Sequence, residues 1–564
     1  MYFEIIQTKI KRILESKYDI NISLRQNIKD DIFDLCLPLF SYKNKFQISF
    51  LEIFEKFKKE IISLEEIEDI FFQNGFLNIK LKKKNINKDI LMNVLKLKKN
   101  YAQKKDNKKV IILDYSSPNI AKNFSIGHLR STVIGNSLKN IYNKLGFRTI
   151  SINHLGDWGT QFGKMILSYQ KWGQKEDIIN NPIDELQKLY IRFHEEANKN
   201  DVLNQEARKV FNQLENQENN VIELWKWFKE ISLIEFQKIY NLLGIKFDYY
   251  IGESFFHNKA VELLKILKKK KILILDKKAY IVPLGDEYPP ALIQKENGST
   301  LYLTRDIACA IYRYQKFNFY KCLYVVGNEQ KLHYQQMQQV LLKMGYNLKL
   351  EHINFGLVLA QNIKISTRKN NDYKLIDIIK KASYQIQNKI IKKNPNLKNL
   401  EEISQKIAIG AIIFNDLKND RHLDIEFNLK QMLQLEGNTG PYLQYTVVRL
   451  ESIFKKNPIS FDQINFLIWE DIEIYLQKSS YFVLIKLIDQ FDDILDKSKN
   501  KNMPSILARF LIILAKKVNQ FYSKNKILVD DQNLKYSNLI LIKSVLVILK
   551  EGLNILGIPI LEEM

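Results

Sequence analysis

Apolar and polar residues along the 564-residue chain change period several times, and each change predicts an element. Val110-Ile111-Ile112-Leu113 is a continuous apolar run, the pattern of a strand buried on both faces. A polar loop rich in Ser, Pro and Asn follows. Leu129, Val133, Ile134, Leu138, Ile141, Tyr142 and Leu145 then recur at helical spacing, and Gly146 stands where a C-cap glycine belongs. Phe147 to Asn153 reads as a second strand. Strand, loop, helix and strand make a βαβ crossover, with the helix N-terminus aimed at the loop after the first strand.

The same reading extends outward. Phe3, Ile6, Ile10 and Ile13 predict an opening helix, Phe50 to Leu64 a second, and Asn74-Gly75 a turn into a strand over Phe76 to Leu81. Residues 1–108 therefore form a small α/β module, and its Lys-rich end, Lys82 to Lys109, reads as a solvated helical connector. A charged, mostly helical stretch occupies about 165–290, with long surface helices over Gln170 to Asn220. Leu301 to Thr304 reads as a short strand, Arg305 to Phe317 as a helix and Lys321 to Gly327 as a strand. Lys331 to Met344 follows as a helix capped by Gly345, then Phe355 to Ala360 as a further strand. Strands alternating with helices predict a parallel sheet of Rossmann type, with its site at the C-terminal strand ends. Beyond Tyr373 the period is helical to the end, over Ile407 to Leu417, Phe482 to Ile494, Ile506 to Tyr522 and Leu539 to Leu556. The expected fold is multidomain α/β plus α.

Composition adds one pointer. A formal charge of +23 favours an anionic partner, nucleic acid before a membrane surface. Ile, Lys and Asn are abundant throughout, so part of that charge is solvated surface. Cys36, Cys309 and Cys322 show no C-x-x-C pairing, which implies neither zinc nor disulfides and suits a reducing cytoplasm. The N-terminus is amphipathic with acidic residues, and no apolar run nears the roughly 20 residues of a membrane span. A soluble cytoplasmic protein with no membrane partner is expected.

The chemistry starts at the predicted helix N-terminus, where free N–H groups and the dipole favour a phosphate. Gly127 lets a ligand approach the backbone, and His128 and Lys122 offer positive charge. Neither G-x-G-x-x-G nor a Walker loop is present. On geometry alone, Ser125 and His128 equally fit a plain helix cap.

The residues themselves go further. Ser116-Ser117-Pro118-Asn119-Ile120-Ala121-Lys122, Ser125-Ile126-Gly127-His128-Leu129-Arg130-Ser131-Thr132 and Asn153-His154-Leu155-Gly156-Asp157-Trp158-Gly159 closely resemble the signature-bearing catalytic region of arginyl-tRNA synthetases. These are class I synthetases whose His-Ile-Gly-His-type motif grips ATP. The resemblance implies a two-step ligase. Arginine is activated with Mg·ATP as substrate, with no structural metal in the protein, and is then passed to arginine tRNA. A monomer is expected.

Site residues follow from the resemblance position by position. Ser125, Gly127, His128 and Lys122 are expected at ATP, with His128 and Lys122 catalytic. Ile363 to Asn370 resembles the mobile Lys-Met-Ser-Lys-Ser-type loop, placing Ser366 and Lys369 at the phosphates and Lys369 at the departing pyrophosphate. Asp114, Asn119, Ser125, Tyr302, Asp306 and Gln330 match the arginine-binding positions. A guanidinium is a planar donor fork best met by a bidentate carboxylate, and Asp306 is the candidate for it. Taken singly, Asp306 could be an N-cap of the following helix. Asp114 and Asn119 would hold the α-amino group, and Tyr302 and Gln330 the guanidinium and its stem. Such a polar pocket rejects analogues that leave it unpaired, so no editing domain is needed.

The implied domains are a tRNA-corner-binding module at 1–108, a catalytic domain at 109–372, connecting helices at 373–435 and an anticodon-binding bundle at 436–564. Gly-Phe-x-Asn-Ile resembles the closing strand of the first, so Phe76 and Asn78 are candidate contacts to a loop base, although a strand residue packed in a small core fits Phe76 as well. Glu436 to Tyr445 resembles the start of the bundle, with Tyr442, Tyr445 and Tyr522 as candidate stacking residues; buried core is the rival for each. Three departures stand out: Ser125 for the first motif histidine, Asn370 for a glycine, and Glu563 for an arginine. They keep one alternative open, a catalytically decayed tRNA-binding protein. A synthetase for another amino acid is disfavoured, because an apolar substrate would leave Asp306 buried and unpaired.

Overall fold

The structure, a computed structural model, describes residues 2–27, 33–199, 201–296, 298, 300–360, 363–364, 374–392, 394–457 and 466–564. At its centre is a five-stranded sheet, parallel throughout: β1 (Val110–Asp114), β2 (Arg148–Asn153), β3 (Tyr249–Tyr250), β4 (Lys321–Tyr324) and β5 (Leu350–His352). Its order is β5-β4-β1-β2-β3, so the direction of winding reverses between β1 and β4. A crevice therefore opens over the C-terminal ends of those two strands. β1 can sit centrally because Ile111, Ile112 and Leu113 present no polar side chain to either face. The crossover helix α1 (Ile126–Lys144) follows β1, and its 19 residues make a rod about 28 Å long.

Several expected elements are placed differently. Leu301 to Thr304 is not a strand. Leu301 is extended and caps a helix, α3 (Tyr302–Phe317), whose buried Leu303, Ile307 and Ala310 continue one helical face. Four residues are too few to separate a strand from a first helical turn by period. Tyr302 and Asp306 are thereby one turn apart on one helix, and Asp306 is not its N-cap. Phe355 to Ala360 contributes only Val358–Ala360, which pairs with Ile363–Lys364 and Ile425–Glu426 outside the central sheet. The fifth central strand is β5.

The stretch between the two halves is not helical throughout. Helices Thr160–Trp172, Lys175–Asn180, Pro182–Ala197, Val202–Glu215 and α2 (Asn219–Leu242) form one layer, and the chain then returns to the central sheet as β3. A turn at Glu253–Phe256, the helix His257–Lys269 and an antiparallel sheet of Ile274–Asp276, Ala279–Val282 and Ala291–Gln294 complete it. These strands are short or exposed and leave little alternation to detect.

The N-terminal module pairs four antiparallel strands with helices, among them Tyr2–Tyr18 and Phe50–Ile61. A reciprocal Ser49/Glu52 capping box starts the latter. The Lys-rich segment is not a solvated connector: its helix, Lys83–Leu97, buries Ile86, Ile90, Leu91 and Val94. Asn87 donates to the Leu476 carbonyl at 2.9 Å, which docks this helix on the C-terminal bundle. That bundle runs from Gly440–Lys456 to Gln532–Leu556, which ends on Gly557 in the left-handed region (φ 74°).

α1 also meets the bundle along its far half. Tyr142 donates to Asn502 at 2.8 Å, Lys144 pairs with Glu551 at 2.8 Å, and Asn140 donates to the Ile555 carbonyl at 3.1 Å. Among the described residues, no helix is long and apolar enough to cross a membrane.

Candidate active site

The N-terminus of α1 is closed by a local circuit. Ser125 is extended (φ −95°, ψ 169°), and its N–H donates to His128 Nδ1 at 3.0 Å. Nδ1 is thus an acceptor, and the ring proton belongs on Nε2. Burial, helped by the charge of Lys122, pushes the His128 ring down to about 4. His128 is therefore neutral at pH 7 and offers an N–H donor rather than the positive charge expected of it. Gly127 is exposed, and among the described residues the heavy atom nearest an added Cβ there is Ser125 Oγ at 3.5 Å. Charge at this end comes from Lys122, whose Nζ lies 5.9 Å from the Tyr190 ring.

Two further contacts hold this end in place. Arg130, fully buried, donates to the Gly356 and Leu357 carbonyls at 3.0 Å and to the Leu423 carbonyl at 2.8 Å. One guanidinium thus pins α1 to the chain after β5 and to the chain leading into Ile425–Glu426. The backbone of Lys374 bridges to Ser125, so the chain leaving the expected basic loop returns beside the signature helix. Ser366, Lys369 and Asn370 themselves lie outside the described residues.

The proposed arginine residues surround α3. Asp306 Oδ2 lies 2.6 Å from His333 Nε2 on α4 (Lys331–Lys343), and Oδ1 lies 3.8 Å from His154 Nε2 after β2. Burial alone would raise this carboxyl. The hydrogen bond and charge of His333, with Arg305 further off, hold it below the usual carboxylate range. Asp306 is thus ionised at neutral pH. Tyr302, 53% exposed, lies on the same helix with the Arg305 guanidinium 4.8 Å from its ring centre. Gln330 is exposed at the start of α4, three residues before His333. Asn119 bridges through its backbone to Gly156, and a Cβ at Gly156 would fall 1.8 Å from its Oδ1.

Asp114 differs from its expected role. It is buried, its Oδ2 2.7 Å from Arg313 Nη1 on α3, and Ser117 Oγ donates to its Oδ1 at 3.1 Å. Its charge is already countered within the protein, so it is a poor free anchor for an α-ammonium.

Glu253, in the stretch between the two halves of the sheet, is not among the expected site residues. Glu253 Oε2 accepts from Arg305 at 3.1 Å. Burial, only partly offset by Arg305 and reinforced by the carboxylates of Asp306 and Asp157, pushes it up to about 8. Asp157 in turn accepts from Lys229 at 2.6 Å and from Ser254 N and Oγ at 2.8 Å, which ties α2 to the crevice floor. His154, His333, Arg305 and Arg313 also went unassigned. Their sole signal was position: His154 lies inside the Asn153 to Gly159 motif, Arg305 precedes Asp306, Arg313 follows it by two turns, and His333 follows Gln330 by three residues.

The candidate tRNA contacts divide. Asn78 is 3% exposed in the middle of the N-terminal sheet, so it is closed to a base. Phe76 is half-buried against Phe40 (5.4 Å between ring centres). In the bundle, Tyr445 is 42% exposed, whereas Tyr442 is half-buried with its hydroxyl accepting from Asn519 at 3.0 Å. The Arg449 guanidinium lies 4.1 Å from the Tyr522 ring centre.

Comparison with known proteins agrees with this layout. Residues 90–429 match the model of the class I tRNA synthetase (R) catalytic domain, and residues 443–564 that of the DALR anticodon binding domain. The chain is 40% identical over 557 residues to the arginine–tRNA ligase of Exiguobacterium sibiricum, covering 97% of each chain. It is 42% identical over 536 residues to that of Halothermothrix orenii, covering 94% of each. Its fold matches the Plasmodium falciparum arginyl-tRNA synthetase with a TM-score of 0.83 at 26% identity, covering 100% of this chain and 99% of the other. The Thermus thermophilus enzyme shares the fold at a TM-score of 0.78 and 20% identity, with complete coverage of both. With the Rossmann-type crevice, the capped signature helix and the helical bundle in one chain, this protein belongs to the class I arginyl-tRNA synthetase family.

Proposed function

We infer that the protein is an arginine–tRNA ligase. The observation that carries this is Asp306, a half-buried carboxylate held ionised beside His333 on the helix that follows the central crevice. The arginine carboxylate attacks the α-phosphate of Mg·ATP, forming arginyl-adenylate and releasing pyrophosphate. The terminal ribose hydroxyl of arginine tRNA then attacks the arginyl carbonyl, losing its proton and releasing AMP. No protein nucleophile is required, so catalysis rests on positioning and charge stabilisation.

In this reading Asp306 takes the guanidinium, flanked by Tyr302 and Gln330, and Asn119 faces the α-amino group. Asp114 shapes that end through its pair with Arg313. The His128 Nε2–H and the Lys122 charge stabilise the phosphates, with Ser125 and Gly127 shaping the backbone around them and Ser366 and Lys369 taking the pyrophosphate. Tyr445 and Tyr522 stack on anticodon bases. The protein acts in the cytoplasm as a monomer, which sedimentation equilibrium tests against the chain mass of 66.7 kDa.

The deciding experiment is ATP–pyrophosphate exchange with arginine, with and without arginine tRNA, beside an Asp306→Ala variant. Arginine-dependent exchange that falls about a hundredfold or more in the variant supports the reading. Folded protein that binds tRNA but exchanges under no condition would instead be the decayed tRNA-binding form that the Ser125 departure kept open.

A further inference from the structure

We propose that His154 is a second acceptor for the substrate guanidinium, acting together with Asp306; the proposal rests on the arginine reading above. His154 follows β2 and lies with its ring 5.7 Å from that of Phe256, its side chain only 14% exposed. Its Nδ1 lies 3.0 Å from the carbonyl oxygen of Ile251. A carbonyl can only accept, so Nδ1 carries the ring proton, and in the neutral ring Nε2 is left as an acceptor.

That nitrogen is buried with no hydrogen-bond partner among the described residues. It faces Asp306 Oδ1 across 3.8 Å, too far for a hydrogen bond between the two. Asp306 Oδ2 is occupied by His333, so Oδ1 is the oxygen directed at the gap. A buried acceptor without a partner, confronting a carboxylate oxygen, is unfavourable until a donor comes between them. A guanidinium supplies such donors in a plane, and one of its nitrogens at about 2.9 Å from each acceptor spans this separation. The unsatisfied lone pair is thus an imprint of the ligand. The imidazole reads the donor without adding charge, while Asp306 supplies the counter-charge.

The competing arrangement is a protonated His154 acting as counter-cation to Asp306, and it predicts the opposite sign. Removing a cation would free the carboxylate and tighten arginine binding, whereas removing an acceptor weakens it. Steady-state charging of arginine tRNA by the wild type, His154→Leu and His154→Gln distinguishes them. The KM for arginine should rise about tenfold in H154L, with the KM for ATP and the melting temperature unchanged. H154Q, which keeps an acceptor oxygen at this reach, should recover most of the loss. An unchanged or lowered arginine KM in H154L overturns the proposal, as does a parallel rise for arginine and ATP with a lower melting temperature.

Should H154L not fold, the wild-type enzyme with 15N-labelled histidine gives the answer by magic-angle-spinning NMR. Saturating arginine should move the unprotonated His154 Nε2 resonance upfield, and no movement overturns the proposal. A wild type that charges no arginine refutes the ligase reading itself. An active wild type with an unaltered H154L refutes only the role of His154.

Discussion

Arg313 and Asp114 form an ion pair sealed beneath the crevice, Nη1 to Oδ2 at 2.7 Å, with the arginine fully buried and the aspartate nearly so. It joins α3, which carries Tyr302 and Asp306, to the end of the central strand. Breaking such a pair from one side leaves a buried charge uncompensated, whereas replacing both partners does not. Arg313→Met should therefore cost about 3–5 kcal/mol in denaturant unfolding. The double variant with Asp114→Asn should recover a large part of that loss. Additive losses would show that the two side chains are not coupled.

Gly156 is set by contact rather than by turn geometry. A methyl there would lie 1.8 Å from Asn119 Oδ1, so Gly156→Ala must push Asn119 out of the crevice. A rise in arginine KM of about tenfold, with ATP binding retained, is the expected result in steady-state kinetics. Wild-type kinetics in G156A would remove Asn119 from the arginine site.

His128 gives a pH dependence of known sign. Its folded-state value of about 4 lies below the ordinary 6.5, so the neutral ring favours the folded protein. That contribution is complete above pH 6.5 and is lost as the pH falls from 6.5 toward 4. Between pH 7 and pH 5 the ring should withdraw about 2 kcal/mol of stability. In His128→Asn this part of the pH slope should vanish, as guanidinium unfolding at the two pH values would reveal.

Glu253 runs the other way. Raised to about 8 from 4.5, it stabilises the fold most below pH 4.5, and that contribution is lost as the pH rises through 8. Glu253→Gln mimics the protonated acid and still accepts from Arg305, so its melting temperature at pH 7 should match the wild type within a few degrees. Glu253→Ala should melt clearly lower, because it strands the Arg305 guanidinium. Equal melting of the two variants would mean that the Arg305 contact contributes nothing.

The sequence was most informative where one segment carries both period and chemistry. β1, α1 and β2 appear where the apolar run, helical spacing and Gly146 place them, because a strand buried on both faces and a helix pressed on it leave little freedom of pattern. The short edge strand β3 and the first turn of α3 were illegible, since two to four residues hold no measurable period. Docking of Lys83–Leu97 was hidden by its lysines, which cover a buried stripe of Ile86, Ile90, Leu91 and Val94. In the site, Asp306 stood out as a carboxylate at a position that matches the arginine-binding residues of the family. His154, His333 and Arg313 did not, because their roles depend on which atoms meet across three separate elements. Asn78 shows the converse: a polar residue in a recognisable motif, yet shut inside a sheet.

The rod of α1 carries a consequence for anyone dividing this protein. Its leading end presents Ser125 and His128 to the crevice, while its trailing end is fastened through Tyr142, Lys144 and Asn140 to the helices that close the chain. The N-terminal module is moored to other helices of the same bundle, through Asn87 and through the Tyr2 N–H donating to Asp489 at 2.9 Å. Truncation after the catalytic half would bare the trailing end of the signature helix, and grafting in a foreign bundle would mismatch it. The modules are separable in sequence, but side-chain contacts to one bundle join them in the fold.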